Sequence, residues 1–119
     1  MDVINLKEKL ELISETWTPK VVAMMDTSQV FLSKLEGDFI WHTHESQDEL
    51  FLVVDGRFRM DFRDKQLWVE AGEMIVVPAG VEHKPFAEEL CSVLVIEDAD
   101  TLHTGGIDDP RRRDAHEKI

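Results

Sequence analysis

The spacing of apolar positions changes once along the chain, near residue 20. Within residues 5–15, NLKEKLELISE, the side chains of Leu6, Leu10 and Ile13 recur at helical spacing, with Lys7, Glu8 and Glu11 on the other face. The pattern predicts one helix capped by Asn5, with Glu8 three residues on as in a capping box. Trp17 extends the apolar stripe, and Pro19 ends it. This helix is expected to cover an end or side of the domain.

From residue 20 the pattern becomes short apolar or alternating runs separated by turn residues: VVAMM, QVFLSKL, FIWHTH, ELFLVV, RFRMDF, QLWVE, MIVVP and CSVLVIE. Asp55-Gly56 is a strong hairpin signal, and Glu36-Gly37-Asp38, Ala71-Gly72-Glu73 and Ala79-Gly80 mark further reversals. Eight strands with a turn roughly every ten residues predict an all-β antiparallel sandwich or barrel over residues 20–97. Residues 98–119 read as an extension of a single domain spanning 1–119. Gly105, Gly106 and Pro110 interrupt regular structure there, and the last ten residues are almost wholly polar. Arg111, Arg112 and Arg113, flanked by Asp108, Asp109, Asp114 and Glu117, read as a solvated, flexible end rather than a basic patch.

Composition narrows the functional classes. A net charge of −12 argues against nucleic acid and against anionic membranes. Apolar runs such as FLVV are too short to span a bilayer, and the N-terminus lacks the basic start of a signal peptide. Cys91, the single cysteine, excludes an intrachain disulfide and fits a reducing cytoplasm. Within LCSVLVI it reads as a buried small hydrophobe rather than a nucleophile.

The candidate chemistry lies in WHTHESQDE, residues 41–49. On a strand, residues i and i+2 share a face, so His42 and His44 point the same way, and Glu49 follows a short polar turn. Two imidazoles and a carboxylate make half a metal site. His83 is the candidate further ligand: in GEMIVVPAGVEH, Pro78 and Gly80 allow a sharp reversal that returns the histidine over the sheet. A lone histidine in a strand is more often a structural residue, and His103 and His116 are read that way, as a loop and a tail residue. By alternation Phe51 and Val53 share the face of Glu49, and Ile40 shares the face of the two histidines. Phe58, Met60 and Phe62 are expected to point inward on the next strand, leaving Arg57, Arg59 and Asp61 outside. The pocket is thus expected to be apolar and aromatic, with Arg63 and Lys84 the basic residues nearest its mouth. Outward Phe39, Trp41 and Trp68 are expected to pack the helix or form a subunit interface, and a homodimer is expected.

Gly37, His42, His44, Glu49 and Gly56 fall on the first motif of the cupin family, and Gly72, Pro78, Gly80 and His83 on its second. Over residues 37–87 the chain resembles a cupin. Gly37 lies one residue nearer His42 than in the family pattern, and Ala87 replaces its final asparagine. The resemblance implies a double-stranded β-helix, the cupin jelly-roll barrel, with one short N-terminal helix. It also implies a divalent metal held by His42, His44, Glu49 and His83. Three nitrogens and one oxygen suit Fe, Mn, Ni or Co, and Zn can also bind. The chain is similar to small single-domain cupins labelled mannose-6-phosphate isomerase-like. Two functions fit. One is a metal-dependent enzyme of dioxygenase- or isomerase-like chemistry acting on a small organic molecule. The other is a non-catalytic module in which the metal holds a ligand or stabilises the barrel.

Overall fold

A computed structural model describes residues 1–101, 105–111 and 115–119. His103, Arg112, Arg113 and Asp114 lie outside the described residues. One helix, α1 (Leu6–Glu11), precedes seven strands among the described residues. They are β1 (Lys20–Met25), β2 (Ser28–Asp38), β3 (Glu49–Asp55), β4 (Arg57–Phe62), β5 (Gln66–Glu70), β6 (Met74–Val77) and β7 (His83–Asp98). Every pairing between these strands is antiparallel. No described helix is long and apolar enough to cross a membrane.

The helix is shorter than residues 5–15. Asn5 caps it as expected, its Oδ1 accepting from the Glu8 N–H at 2.9 Å. It buries none of its own residues, however. A helix this short gains little from its own hydrogen bonds. The chain therefore leaves it to bury Ile13 and Trp17 separately against β2. Lys34 donates its Nζ to the Ile13 carbonyl at 2.7 Å, and the Trp17 N–H donates to the Lys34 carbonyl at 2.8 Å.

β7 organises the sheet. Its 16 residues pair with β2 along one side. On the other side its first residues pair with β4 (Phe62↔His83 to Arg59↔Phe86) and its last with β3 (Asp55↔Ser92 to Glu49↔Glu97). The sheet order β1-β2-β7-β3-β6 is thus joined through β7 to the β4–β5 pair. That arrangement brings Phe51 of β3 against Phe58 of β4, ring centroids 5.7 Å apart. One expected break is continuous strand: Glu36-Gly37-Asp38 is a bulge in β2 rather than a turn. Gly37 takes φ +78°, and this conformation is what demands glycine, since a Cβ there would meet nothing within 4 Å.

Phe58, Met60, Leu32, Val93 and Cys91 are wholly buried, and burial with the nearby Asp55 charge pushes the Cys91 thiol up to about 12. Asp61, expected outside, is buried as well. Its carboxylate is gripped by Arg59 (2.5 and 3.0 Å) and faced by Lys84 at 3.5 Å, so the charge is compensated where it lies. Phe58→Ala is expected to destabilise the fold by about 3–5 kcal/mol, read as a lower midpoint in chemical denaturation with an unchanged slope.

Candidate metal centre

Residues 39–44 do not form the expected strand. His42 is instead held by a reciprocal pair of backbone bonds with His83, His42 N to His83 O at 3.0 Å and His83 N to His42 O at 2.9 Å. The Pro78–Gly80 reversal docks on the same segment. Gly80 donates to the His44 carbonyl at 2.9 Å, and Ala79 donates to Asp48 Oδ1 at 2.8 Å. Gly105 closes on the outside, where a Cβ would lie 2.4 Å from the Thr43 carbonyl oxygen. The HxH stretch is therefore fixed by backbone contacts from two distant parts of the chain instead of by a ladder.

One ligand-competent atom from each of His42, His44, Glu49 and His83 lies within 4.8 Å of the others, and all four residues are buried. Backbone carbonyls orient two of the rings. His42 Nδ1 lies 2.8 Å from the Ile40 carbonyl and His83 Nδ1 2.8 Å from that of Val81. A carbonyl can only accept, so each Nδ1 carries the proton and each Nε2 presents a lone pair, as a ligating histidine requires. His44 Nε2 and His83 Nε2 each lie 3.4 Å from Glu49 Oε1, and these three atoms are buried without a hydrogen-bond partner. Buried polar atoms left unpaired are costly. Two nitrogen lone pairs converging on a carboxylate oxygen are stabilised by a cation between them. The donor set therefore fits a divalent metal.

The protonation states agree. Burial, helped by the neighbouring His83, lowers His42 to about 4, which keeps it neutral at pH 7. Burial alone would raise Glu49. The neighbouring Glu97, His44 and His83 side chains outweigh it and hold the carboxyl well below its usual range. Glu97 faces Glu49 across the β3–β7 ladder and is itself only 4% exposed. Burial and the adjacent Glu49 charge push Glu97 well above the carboxylate range. Sequence reasoning missed Glu97, although the signal was present. Cys91, Val93, Val95 and Glu97 alternate inward on β7, and a carboxylate at an inward position calls for a partner.

A cavity with an empty volume of about 390 Å³, partly open to solvent, adjoins the cluster through His42 and Glu49. Of the expected pocket residues, Phe51 lines it. Val53, Phe58 and Met60 are buried in the core away from it, and Ile40 and Phe62 are half-buried against that core. The rest of the lining comes from places the alternation rule did not reach, including Trp17, Phe31, Phe39, Pro85 and Val95. Phe39, expected to face out, turns in to stack on Trp17 (centroids 4.7 Å apart, planes 19° apart) and to meet His42 edge-on. With residues 39–41 off the ladder, strict alternation does not apply there. Trp41 and Trp68 instead sit under Arg63 and Arg57. Described residues of the extension touch the barrel: His116 lies against Phe31, Lys118 bridges to Val21, and Arg111 lies over Phe39.

The family model described as a cupin domain matches residues 31–97. The chain belongs to the cupins. Among solved structures, this cupin is similar to a cupin-2 domain protein from Shewanella frigidimarina. The two are 46% identical with a TM-score of 0.80, over 81% of this chain and 94% of that one. It is also similar to protein NMB1881 from Neisseria meningitidis, 40% identical with a TM-score of 0.76, over 82% of this chain and 99% of that one. An acireductone dioxygenase from Sulfurihydrogenibium sp. is 36% identical over 83 residues, which are 66% of this chain and 44% of that protein. The cupin spans about half the length of the curated relatives it matches.

The lowered His42 gives the metal-free protein a defined pH response. The unfolded chain binds a proton near the ordinary value of 6.5 and the folded chain only near 4, so stability falls as pH drops from about 6.5 to about 4. Urea unfolding of metal-free protein across this range is expected to show that slope, and His42→Gln to flatten it.

Proposed function

We propose that this cupin holds one divalent transition metal (Fe, Mn, Ni, Co or Zn) on His42, His44, Glu49 and His83, and binds or transforms a small organic molecule beside it. The observation that carries this reading is the convergence of His44 Nε2, His83 Nε2 and Glu49 Oε1, buried and unpaired, with His42 beside them. When bound, such an ion supplies Lewis acidity toward a carbonyl or enolate oxygen, or, as iron, reactivity with dioxygen. The protein's own groups prepare the site. The Ile40 and Val81 carbonyls fix two tautomers, Glu97 faces Glu49 across the β3–β7 ladder, and the cavity beside them is lined mainly by apolar side chains.

Similarity to proteins named acireductone dioxygenase supports dioxygenase-like chemistry as one form of this activity. Phosphosugar isomerisation has less support. No described residue lining the cavity is Lys or Arg. Arg63 stacks on Trp41 and pairs with Glu82, and Lys84 pairs with Asp38 at 2.6 Å. A phosphate dianion would find no charged donor there.

Metal titration followed by calorimetry and elemental analysis is expected to give one ion per chain, bound more weakly as pH falls through the histidine range. His83→Ala and Glu49→Gln are expected to weaken binding by about two orders of magnitude or more, since each removes a ligand outright. Equal affinity in wild type and His83→Ala would exclude this centre. As an assembly we propose a homodimer through the exposed apolar residues around β5 and β6, Leu67, Trp68, Met74 and Val76. Light scattering at micromolar protein is expected to give twice the chain mass; a monomer mass refutes the dimer.

A further inference from the structure

Of the four clustered residues, His44 has the slightest backbone hold. His42 and His83 bond to each other twice, and Glu49 lies in the ladder between β6 and β7. His44 belongs to no strand. Among the described residues its backbone is held by one bond, the Gly80 N–H donating to its carbonyl at 2.9 Å. What aims that N–H is a turn. Val81 donates to the Pro78 carbonyl at 3.2 Å and Gly80 takes φ +81°, the pattern of a type II turn with Ala79 at its second position.

The preceding N–H of the same turn is engaged as well. Ala79 donates to Asp48 Oδ1 at 2.8 Å, so two successive N–H groups grip the two ends of one loop, His44 at its start and Asp48 at its finish. A rotation of the turn that carried Gly80 off His44 would also break the Asp48 bond. A carboxylate acceptor makes the stronger kind of hydrogen bond. Yet Asp48 is exposed, and where water can take the place of a lost partner the fold gains little from such a bond. Asp48 is also outside the four-residue cluster, so it is not needed as a ligand. What it affects is the placement of His44.

We infer that Asp48 is a positioning residue, which through Ala79 and Gly80 holds His44 in place beside Glu49 and His83 ahead of ion binding. An ion then meets donors whose loop needs no further ordering, and groups that orient ligands in this way raise metal affinity without touching the metal. The purpose of this clamp rests on the metal reading above; its existence rests on the two hydrogen bonds alone.

The test measures zinc affinity by competition with a chromophoric chelator. Asp48→Ala removes the acceptor, and Ala79→Pro removes the donor at a turn position that proline favours. Each is expected to weaken zinc binding about tenfold or more. The double variant is expected to lose no more than either single one, because both delete the same bond. Asp48→Asn keeps an acceptor oxygen without the charge and is expected to retain most of the wild-type affinity. The urea midpoint of the metal-free protein is expected to stay at the wild-type value in all of them. The visible spectrum of cobalt-loaded protein is expected to change in Asp48→Ala and Ala79→Pro and to persist in Asp48→Asn. Additive losses in the double variant, an Asn variant as weak as the Ala one, or a metal-free midpoint that falls with the affinity overturns the inference and leaves metal binding intact. A second arm needs no metal. In metal-free Asp48→Ala, amide exchange of Gly80 is expected to quicken, because its bond to His44 has lost its support. Unchanged exchange overturns the clamp whether or not zinc binds. Quickened exchange in a protein whose wild type takes up no zinc overturns the metal reading and leaves the clamp on His44 standing.

Discussion

The reciprocal backbone pair between His42 and His83 is the contact on which the site depends. It joins a stretch that has left the sheet to the first residue of the strand that holds the sheet together. Without it, His42 and His44 would sit on a loop with no ladder to fix them. With it, both inherit the rigidity of β7, whose partners β2, β3 and β4 account for most of the barrel. The Pro78–Gly80 reversal completes the arrangement by bonding to His44 and Asp48. The precision of the cluster thus comes from backbone hydrogen bonds, which are cheap to satisfy and tolerant of side-chain change, and not from tight packing of the imidazoles themselves.

Charge is handled by pairing buried groups so that few net charges lie inside. Burial lowers His42 to about 4, so this imidazole adds no charge beside Glu49 at pH 7, and burial with the Glu49 charge pushes the second buried carboxyl, Glu97, well above the carboxylate range. On the outer side of the same sheet, Asp61 is balanced by Arg59 and Lys84. Glu49 is buried beside His42 and Glu97, and a divalent ion there would offset its desolvation.

Much of this was legible in the sequence. The helix cap, the β3 alternation of Glu49, Phe51 and Val53, and the two motifs that place the four clustered residues are local patterns, and local patterns survive folding. Where the sequence reading departs from the structure, tertiary contacts had overridden local period. Residues 39–44 look like a strand in composition but bond to a histidine 41 positions on, so alternation assigned Phe39 to the wrong side. Trp17 has helical spacing yet adopts a left-handed φ because two carbonyls of β2 and its bulge capture it. The lining of the cavity is drawn from β2, β3, β7, the helix–barrel segment and residues 39–42 together, a set that no single periodicity could define.

The position of β7 in the sequence has a consequence for how the chain assembles. This strand is central in space but late in order, beginning only at His83. Until it is synthesised, β2, β3 and β4 have no common partner. What precedes it are separate hairpins, of marginal stability alone. Folding is therefore dominated by contacts distant in sequence, a topology that folds slowly and exposes unpaired edges while it waits. Ligand assembly follows the same schedule, because His83 and the strand that positions it emerge together. A nascent chain carrying His42, His44 and Glu49 has three of the four clustered residues and no strand to hold them in register until His83 and β7 follow.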